Sequence, residues 1–259
     1  MIKGDKKPIL PRRRFLQAAG AAAGGLLVTG CDALNDNAGV RQILSGAEKL
    51  HQGAQRIIMD RNALAREYRL ADMSPKFRMN GSITGDTDEY QAHLAQRFAN
   101  WKLKIDGMVA RRASYSLAQL MAMPSREQIT RHDCVEGWSA IGRWRGPQLG
   151  PLLDRSGLLP AARYLVFHCA DRFGADAYYE SIDLIDAFHP QTILAWGMNG
   201  AMLPTGHGAP IRLRVERQLG YKHAKFVMRI EATDDLTKFG QGKGGYWEDV
   251  ADYAWYAGI

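Results

Sequence analysis

A cysteine in polar company is the first feature of this chain that could do chemistry. Cys134 sits in the run Arg131-His132-Asp133-Cys134-Val135-Glu136-Gly137-Trp138-Ser139. A thiolate is a soft donor suited to a transition metal, and a lone cysteine suits a site in which a cofactor supplies the remaining ligands. The same residues allow a second chemistry. In an extended segment, positions i and i+2 face the same side, so His132 could serve as base for a Cys134 nucleophile. No third group that would orient the histidine is evident nearby.

A second cluster lies further on, in Asn199-Gly200, then Leu203-Pro204-Thr205-Gly206-His207-Gly208-Ala209-Pro210-Ile211-Arg212, then Gly220-Tyr221-Lys222-His223-Ala224-Lys225. Glycines on both sides of His207 let the backbone approach a ligand closely. Arginine offers a planar fork for phosphate and lysine a point charge. Together these residues suit an anionic, phosphorylated, heterocyclic cofactor. The competing reading makes Arg212, Arg214 and Lys222 a solvated strand face.

The elements around these clusters start with a leader. The formal charge of +7 is unevenly placed: six basic residues in 1–14 (Lys3, Lys6, Lys7, Arg12, Arg13, Arg14) face Asp5 alone, so 28 of 34 basic and 26 of 27 acidic residues lie beyond Cys31. The near-balance of the rest argues against a basic nucleic-acid-binding face. Arg12-Arg13-Arg14-Phe15-Leu16, followed by an Ala/Gly-rich apolar run, resembles a twin-arginine export signal, which moves folded and often cofactor-loaded proteins. The run is too short and too glycine-rich for a stable membrane span. It closes on Leu27-Val28-Thr29-Gly30-Cys31, which resembles a bacterial lipobox. An ordinary signal-peptidase site is the alternative. A lipidated Cys31 would hold the domain at a membrane, in the periplasm. With Cys31 used in this way, Cys134 and Cys169 remain either as one disulfide or as two residues of one site.

Residues 32–72 read as a tether followed by an amphipathic helix, with Ile43, Ala47, Leu50, Ala54, Ile57 and Ile58 on one stripe. From Trp101, Leu103 and Ile105 the period becomes two, as in a half-buried strand. Further expectations are a helix over 114–121, a strand at 128–130 entering the Cys134 loop, and a helix over 149–159 stopped near Gly157. A strand over 163–168 would deliver Cys169 at its end, and a helical turn would follow over 181–188. Strands over 211–216 and 226–231 and an aromatic tail (Tyr246, Trp247, Tyr253, Trp255, Tyr256) complete the pattern. The fold class expected is α+β, one domain over 73–259 with antiparallel-rich sheets and long functional loops.

The motifs occur in a telling order: His132-Asp133-Cys134-Val135-Glu136-Gly137-Trp138-Ser139, Trp144-x-Gly146, Tyr179-Glu180-Ser181 with Asp183, and His189-Pro190-Gln191-Thr192-x-Leu194-Ala195. Met198-Asn199-Gly200, His207-Gly208-Ala209-Pro210-x-Arg212-Leu213 and Gly220-Tyr221-Lys222-x-x-Lys225 follow. Over about residues 77–230 this set resembles the sulfite oxidase family of molybdopterin enzymes, closest to the bacterial branch of periplasmic methionine-sulfoxide reductases. The resemblance implies a sulfite-oxidase-type molybdopterin fold that performs oxygen-atom transfer, with molybdenum-molybdopterin as cofactor.

It further implies that Cys134 ligates molybdenum. His207 and Arg212 would hold the pterin and its phosphate, as would His223, Ala224 and Lys225. Arg78 and Met79 fall at an early pterin contact. Cys169 stands where the branch carries a threonine near the cofactor, which puts a hydrogen bond there in doubt. Around the ligating cysteine, sulfite oxidases place basic residues. Here Val135, Glu136 and Trp138 follow it, and Arg131, Arg143 and Arg145 only flank it. An S-oxide is therefore favoured over sulfite as substrate. No C-x-x-C-H haem motif is present, so electrons would be exchanged with an external membrane protein such as a cytochrome. A cofactor-binding lipoprotein without turnover and sulfite-type oxidation are the alternatives.

Overall fold

The computed structural model describes residues 38–259; the expected export signal, the lipobox and Cys31 lie outside the described residues. Contacts divide the chain into a unit up to Ala54 and a unit from Gln55 to Ile259. The first described element is helix α1 (Ala38–Ile58), whose apolar stripe is exposed at Leu50, Ile57 and Ile58. Residues 55–72, read from sequence as part of a tether, contribute contacts to the second unit. Arg56 pairs with Asp183 at 2.9 Å and with Asp186 at 2.8 Å, and Tyr68 donates its backbone N–H to Ile129. No helix among the described residues is long and apolar enough to cross a membrane.

In chain order the second unit holds α2 (Asp88–Ala95), β1 (Lys102–Gly107), β2 (Ala113–Ser116), α3 (Leu117–Ala122), β3 (Ser125–Asp133) and β4 (Ser139–Pro147). Then come α4 (Leu149–Ser156), β5 (Tyr164–Phe173), β6 (Asp176–Asp183), α5 (Leu184–Ala187), β7 (Ile193–Ala195), β8 (Gly197–Met198) and β9 (Ala201–Met202). The chain ends with β10 (Arg212–Arg214), β11 (Val227–Thr233) and α6 (Tyr246–Ala251). The expected α+β class with antiparallel-rich sheets is the observed one. A five-stranded sheet runs β2-β1-β11-β5-β6, a four-stranded sheet runs β3-β4-β8-β9, and β10 pairs with β7. Among the named strands only β1 and β11 pair in parallel.

Local sequence explains most of these elements. In β1 the buried Leu103 and Ile105 alternate with exposed lysines, as a sheet with one covered face requires. Gly157 ends α4 in the left-handed conformation (φ 67°), which suits a residue without a Cβ. The helix expected over 114–121 begins later. Ser114 and Tyr115 extend β2 along β1, and Ser116 then caps α3 reciprocally with Gln119. The turn expected from Ser181 likewise starts at Leu184, because Ser181 to Asp183 pair with β5.

Strand β5 departs most from expectation. It continues to Phe173, so Cys169 lies in mid-strand and not at its end. Pairing with β11 on one side and β6 on the other carries the strand onward, through a register shift after His168. Behind the Cys134 hairpin, Gly146 admits no side chain: a Cβ there would lie 2.0 Å from the backbone oxygen of Leu194. That close approach packs β4 onto β7 and fixes the hairpin against the strand that pairs with β10.

Candidate functional site

Cys134 stands at the tip of the β3–β4 hairpin. Its N–H donates to Trp138 O at 2.9 Å, and Gly137 N donates back to Cys134 O at 3.0 Å. Gly137 makes the turn at φ 81°, where a side chain would be strained. Asp133 accepts from Ser139 and from Arg131, and Trp138 Nε1 donates to Glu136 at 2.9 Å. The loop is thus tied to itself and presents a half-buried free thiol. Burial pushes that thiol upward, with some relief from the Arg212 charge. Cys134 and Cys169 are both free, so the disulfide reading is set aside.

The thiol opens on a cavity of about 120 Å³ whose lining includes Asn80, Asp171, Tyr178, His223, Lys225 and Trp247. Gly220 brings backbone to the same wall. A Cβ there would meet His132 Nε2 at 2.5 Å. His132 Nδ1 lies 3.0 Å from an Arg214 nitrogen. A guanidinium only donates, so Nδ1 is the bare nitrogen of the ring and Nε2 carries the hydrogen. That Nε2 has no partner. The His132–Cys134 pairing needed for a cysteine nucleophile is therefore not built: the histidine is bound to Arg214 and Arg214 to Glu216, at 2.6 Å.

The charged wall is fully buried. Arg212, Arg214 and Lys222 are all at 0% exposure, so the solvated strand face is overturned. The alternation that suggested it cannot distinguish a strand wetted on one side from one covered on both. The Arg214 and Arg212 guanidinium carbons lie 4.3 and 5.5 Å from the Trp144 ring centroid. Arg214 and Lys222 have carboxylate partners, whereas Arg212 has none. Its contact with His207 O is long, 3.5 Å, and Nε and one terminal nitrogen have no partner. Burial first, and Arg214 second, lower its affinity for a proton to a pKa of about 9.

The neighbours share this electrostatic deficit. Lys225 donates to the carbonyls of Asn80 (2.6 Å), Ser82 and Gly206, and burial with Arg212 brings it down to about 7. His207 falls to about 4 for the same two reasons, and its Nδ1 is unpartnered. His223 Nε2 donates to Gln218 O (3.1 Å) and leaves Nδ1 unpartnered, and burial and Arg214 hold it neutral. A carbonyl only accepts, so Nε2 is the donor and Nδ1 is a free acceptor. Buried donors, acceptors and an unpaired guanidinium in one place are costly in isolation. A ligand that brings anionic acceptor oxygens to the guanidinium and N–H donors to the bare histidine nitrogen would satisfy them, so the residues present fit a phosphorylated heterocyclic cofactor with a thiolate-ligated metal.

The structure does not bring every expected residue to the cavity. Met79 packs its thioether where a side chain at Gly206 would begin, 2.1 Å from the ideal Cβ. Arg78 is exposed, and neither it nor His207 nor Arg212 is among the cavity-lining residues; Arg212 lies buried behind the wall. Ala224 is buried and accepts from Leu213 N at 2.9 Å, which locks the His223–Lys225 segment to β10. Cys169 lines a neighbouring cavity instead, with Sγ 3.7 Å from Phe167 O. Arg131, Arg143 and Arg145 do not line the Cys134 cavity. Of the tail aromatics, Trp247 and Tyr253 line it, and Tyr246 stacks on Phe173 at 4.9 Å. Sequence reasoning missed Asp171 and Tyr178, whose only signal is their place on strands, and saw Asn80-Gly81 only as a turn.

Comparison with known proteins agrees with this geometry. The family model described as oxidoreductase molybdopterin binding domain matches residues 91–239. A putative protein-methionine-sulfoxide reductase subunit of Azospira oryzae is 36% identical over 247 residues, covering 95% of this chain and 87% of the relative. The protein-methionine-sulfoxide reductase catalytic subunit of Campylobacter jejuni is 33% identical over 190 residues, 67% of this chain and 62% of that protein's length. Among solved structures, the sulfane dehydrogenase SoxCD of Paracoccus pantotrophus has the same fold, with a TM-score of 0.51 at 21% identity over 59% of this chain and 41% of that chain. Taken with the thiol, the cavity it opens on and the buried, unpaired Arg212, these matches establish that the chain belongs to the sulfite oxidase family of molybdopterin-dependent oxidoreductases.

Proposed function

We propose that this protein is an exported reductase of S-oxides, methionine sulfoxide among them, lipid-anchored through Cys31 and fed electrons by a membrane protein such as a cytochrome. In this reading Cys134 is the protein's ligand to molybdenum. Arg212 and Lys225 meet the cofactor's phosphate and pterin with their charges, and His207 and His223 meet it with their free nitrogens. The Ala224 backbone keeps the segment in place, and Met79 closes the edge at Gly206. Arg78, which is exposed, and Cys169, which lines a neighbouring cavity, were also nominated by the family resemblance and are given no contact in this proposal. When bound, the molybdenum cofactor supplies two-electron chemistry with transfer of an oxygen atom.

The observation that carries the substrate class is the makeup of the cavity beside Cys134. Besides Cys134, His223 and Lys225, its lining is aromatic and acidic: Phe173, Tyr178, Trp247 and Tyr253 with Asp171 and Glu136. A doubly charged oxyanion would meet carboxylates and ring faces there, and no arginine lines the cavity to receive it. A neutral, polarised S=O with apolar substituents suits the same surface, since rings can pack its carbons while polar groups address its oxygen. The relatives named as methionine-sulfoxide reductases support this choice. The export and anchoring parts rest on Arg12-Arg13-Arg14-Phe15-Leu16 and on the Leu27–Cys31 run.

The test is a turnover screen on protein purified from a host that makes the cofactor, with a reduced viologen as donor. Methionine sulfoxide and small dialkyl sulfoxides should oxidise the dye. Sulfite with an electron acceptor should give no turnover. Sulfite oxidation without S-oxide reduction would reverse the proposal, and loaded protein inert to both would make it a cofactor-binding lipoprotein.

A further inference from the structure

Asp171 is a carboxyl group that the fold has buried in the wall of the cavity beside Cys134. It lies on β5 and lines the same cavity as Cys134. It is 3% exposed, yet Oδ1 has no hydrogen-bond partner. A bare carboxylate oxygen in such a place is relieved most simply by a proton. Burial lifts the Asp171 carboxyl to about 6, against the opposing pulls of a Ser82 hydrogen bond and the Lys225 charge. The groups facing it are Lys225 from the loop after Gly220, Asp86 from the turn before α2, Tyr90 on α2, Cys169 on its own strand and Tyr178 on β6. Glu136, the other carboxylate of the cavity, is exposed and already accepts from Trp138 Nε1.

We infer that Asp171 is the catalytic acid of S-oxide reduction, giving its proton to the oxygen as that oxygen leaves sulfur. This inference rests on the S-oxide reading above. The sulfur–oxygen bond breaks, sulfur is reduced by two electrons to the sulfide, and the oxygen leaves as water. One of its protons comes from Asp171 and the other from solvent. The two electrons come from two equivalents of a one-electron donor: reduced viologen in the assay, a membrane redox protein in the cell. The carboxylate then takes a proton back from water at the cavity mouth. Acid catalysis of this kind is worth about 10²–10⁴-fold in rate.

The test compares wild type with Asp171→Asn, both loaded with molybdenum, across the neutral pH range. An acid that must be protonated makes kcat fall as pH rises. In Asp171→Asn kcat should drop by about 10²–10⁴-fold and that falling limb should disappear, with molybdenum content unchanged. Ser82→Ala keeps the acid but removes a hydrogen bond that favours its ionised form, so the limb should move to higher pH. It decides the matter should Asp171→Asn fail to load. Infrared difference spectra of the wild type should show a carboxylic C=O band that titrates and is absent from Asp171→Asn. Wild-type kcat with an intact limb in Asp171→Asn, an unmoved limb in Ser82→Ala, or no such band overturns the assignment. Failure of the wild type to reduce any S-oxide overturns the substrate reading and this inference together, whereas a working wild type matched by Asp171→Asn overturns this inference alone.

Discussion

Lys225 Nζ donates to the backbone carbonyl of Asn80 at 2.6 Å, across 145 positions of sequence. The same ammonium reaches the carbonyls of Ser82 and Gly206. One side chain therefore ties together the early turn, the His207 loop and the loop after Gly220. None of these partners is a counter-charge, which is why burial and Arg212 can bring Lys225 down to about 7. The positive wall is positioned by backbone before any ligand arrives, so binding an anion there needs little rearrangement.

Arg212→Met should act in opposite directions on the two forms of the protein. Without cofactor, the variant removes a buried guanidinium that has no carboxylate partner, and replacing such a charge by apolar volume stabilises by about 1–4 kcal/mol. With cofactor, it loses a charge-assisted contact worth about 1.5–3 kcal/mol, or about 10–100-fold in retention. Melting curves of both forms, and molybdenum content after dialysis, check this. A destabilised cofactor-free variant that keeps all its molybdenum would remove Arg212 from the site.

The cofactor-free protein should lose stability on acidification between the ordinary histidine value of 6.5 and about 4. His207 is depressed on folding, so its contribution is present above 6.5 and is lost as pH falls through its folded value of about 4. His223 is displaced the same way by burial. Asp171, raised to about 6, works against them, since its contribution is present at low pH and lost as pH rises. Bound anion favours protonated histidine, so the loaded protein should lose less over the same range. Melting temperature against pH for the two forms measures the difference, and equal slopes would contradict it.

Lys222→Met should be among the most damaging single changes outside the cavity. Lys222 bonds both Glu180 and Glu248 (2.6 Å to the latter), and all three side chains are buried. Burial and the nearby Glu248 push Glu180 well up, so the pair already shares scarce positive charge. Removing the ammonium leaves carboxylates without a partner, a loss of about 3–5 kcal/mol. Adding Glu180→Gln and Glu248→Gln should recover part of it, read as denaturant midpoints. A neutral Lys222→Met would show that the carboxyls carry their own protons.

How much of this was legible follows from where each signal lives. Cys134, His207, Arg212 and Lys225 were readable because each sits in a local motif with glycine or charge at fixed spacing. The strand at Leu103 and Ile105 and the stop at Gly157 were readable because period and turn chemistry are local too. Asp171, Tyr178 and Trp247 converge only through the pairing of β5 with β6 and the return of the tail, so no window of sequence shows them together. Arg78 and Cys169 lie elsewhere than the cavity beside Cys134. Their neighbourhood in sequence is right, but Arg78 faces solvent and Cys169 is turned toward another cavity in mid-strand.

The central claim is that Cys134 holds the metal, and X-ray absorption at the molybdenum edge tests it most directly. Wild-type protein and Cys134→Ser, each purified with cofactor, should differ by one sulfur scatterer at metal–sulfur distance, with loss of turnover in the variant and no change in fold by circular dichroism. An unchanged sulfur count in Cys134→Ser, with turnover retained, would contradict the account.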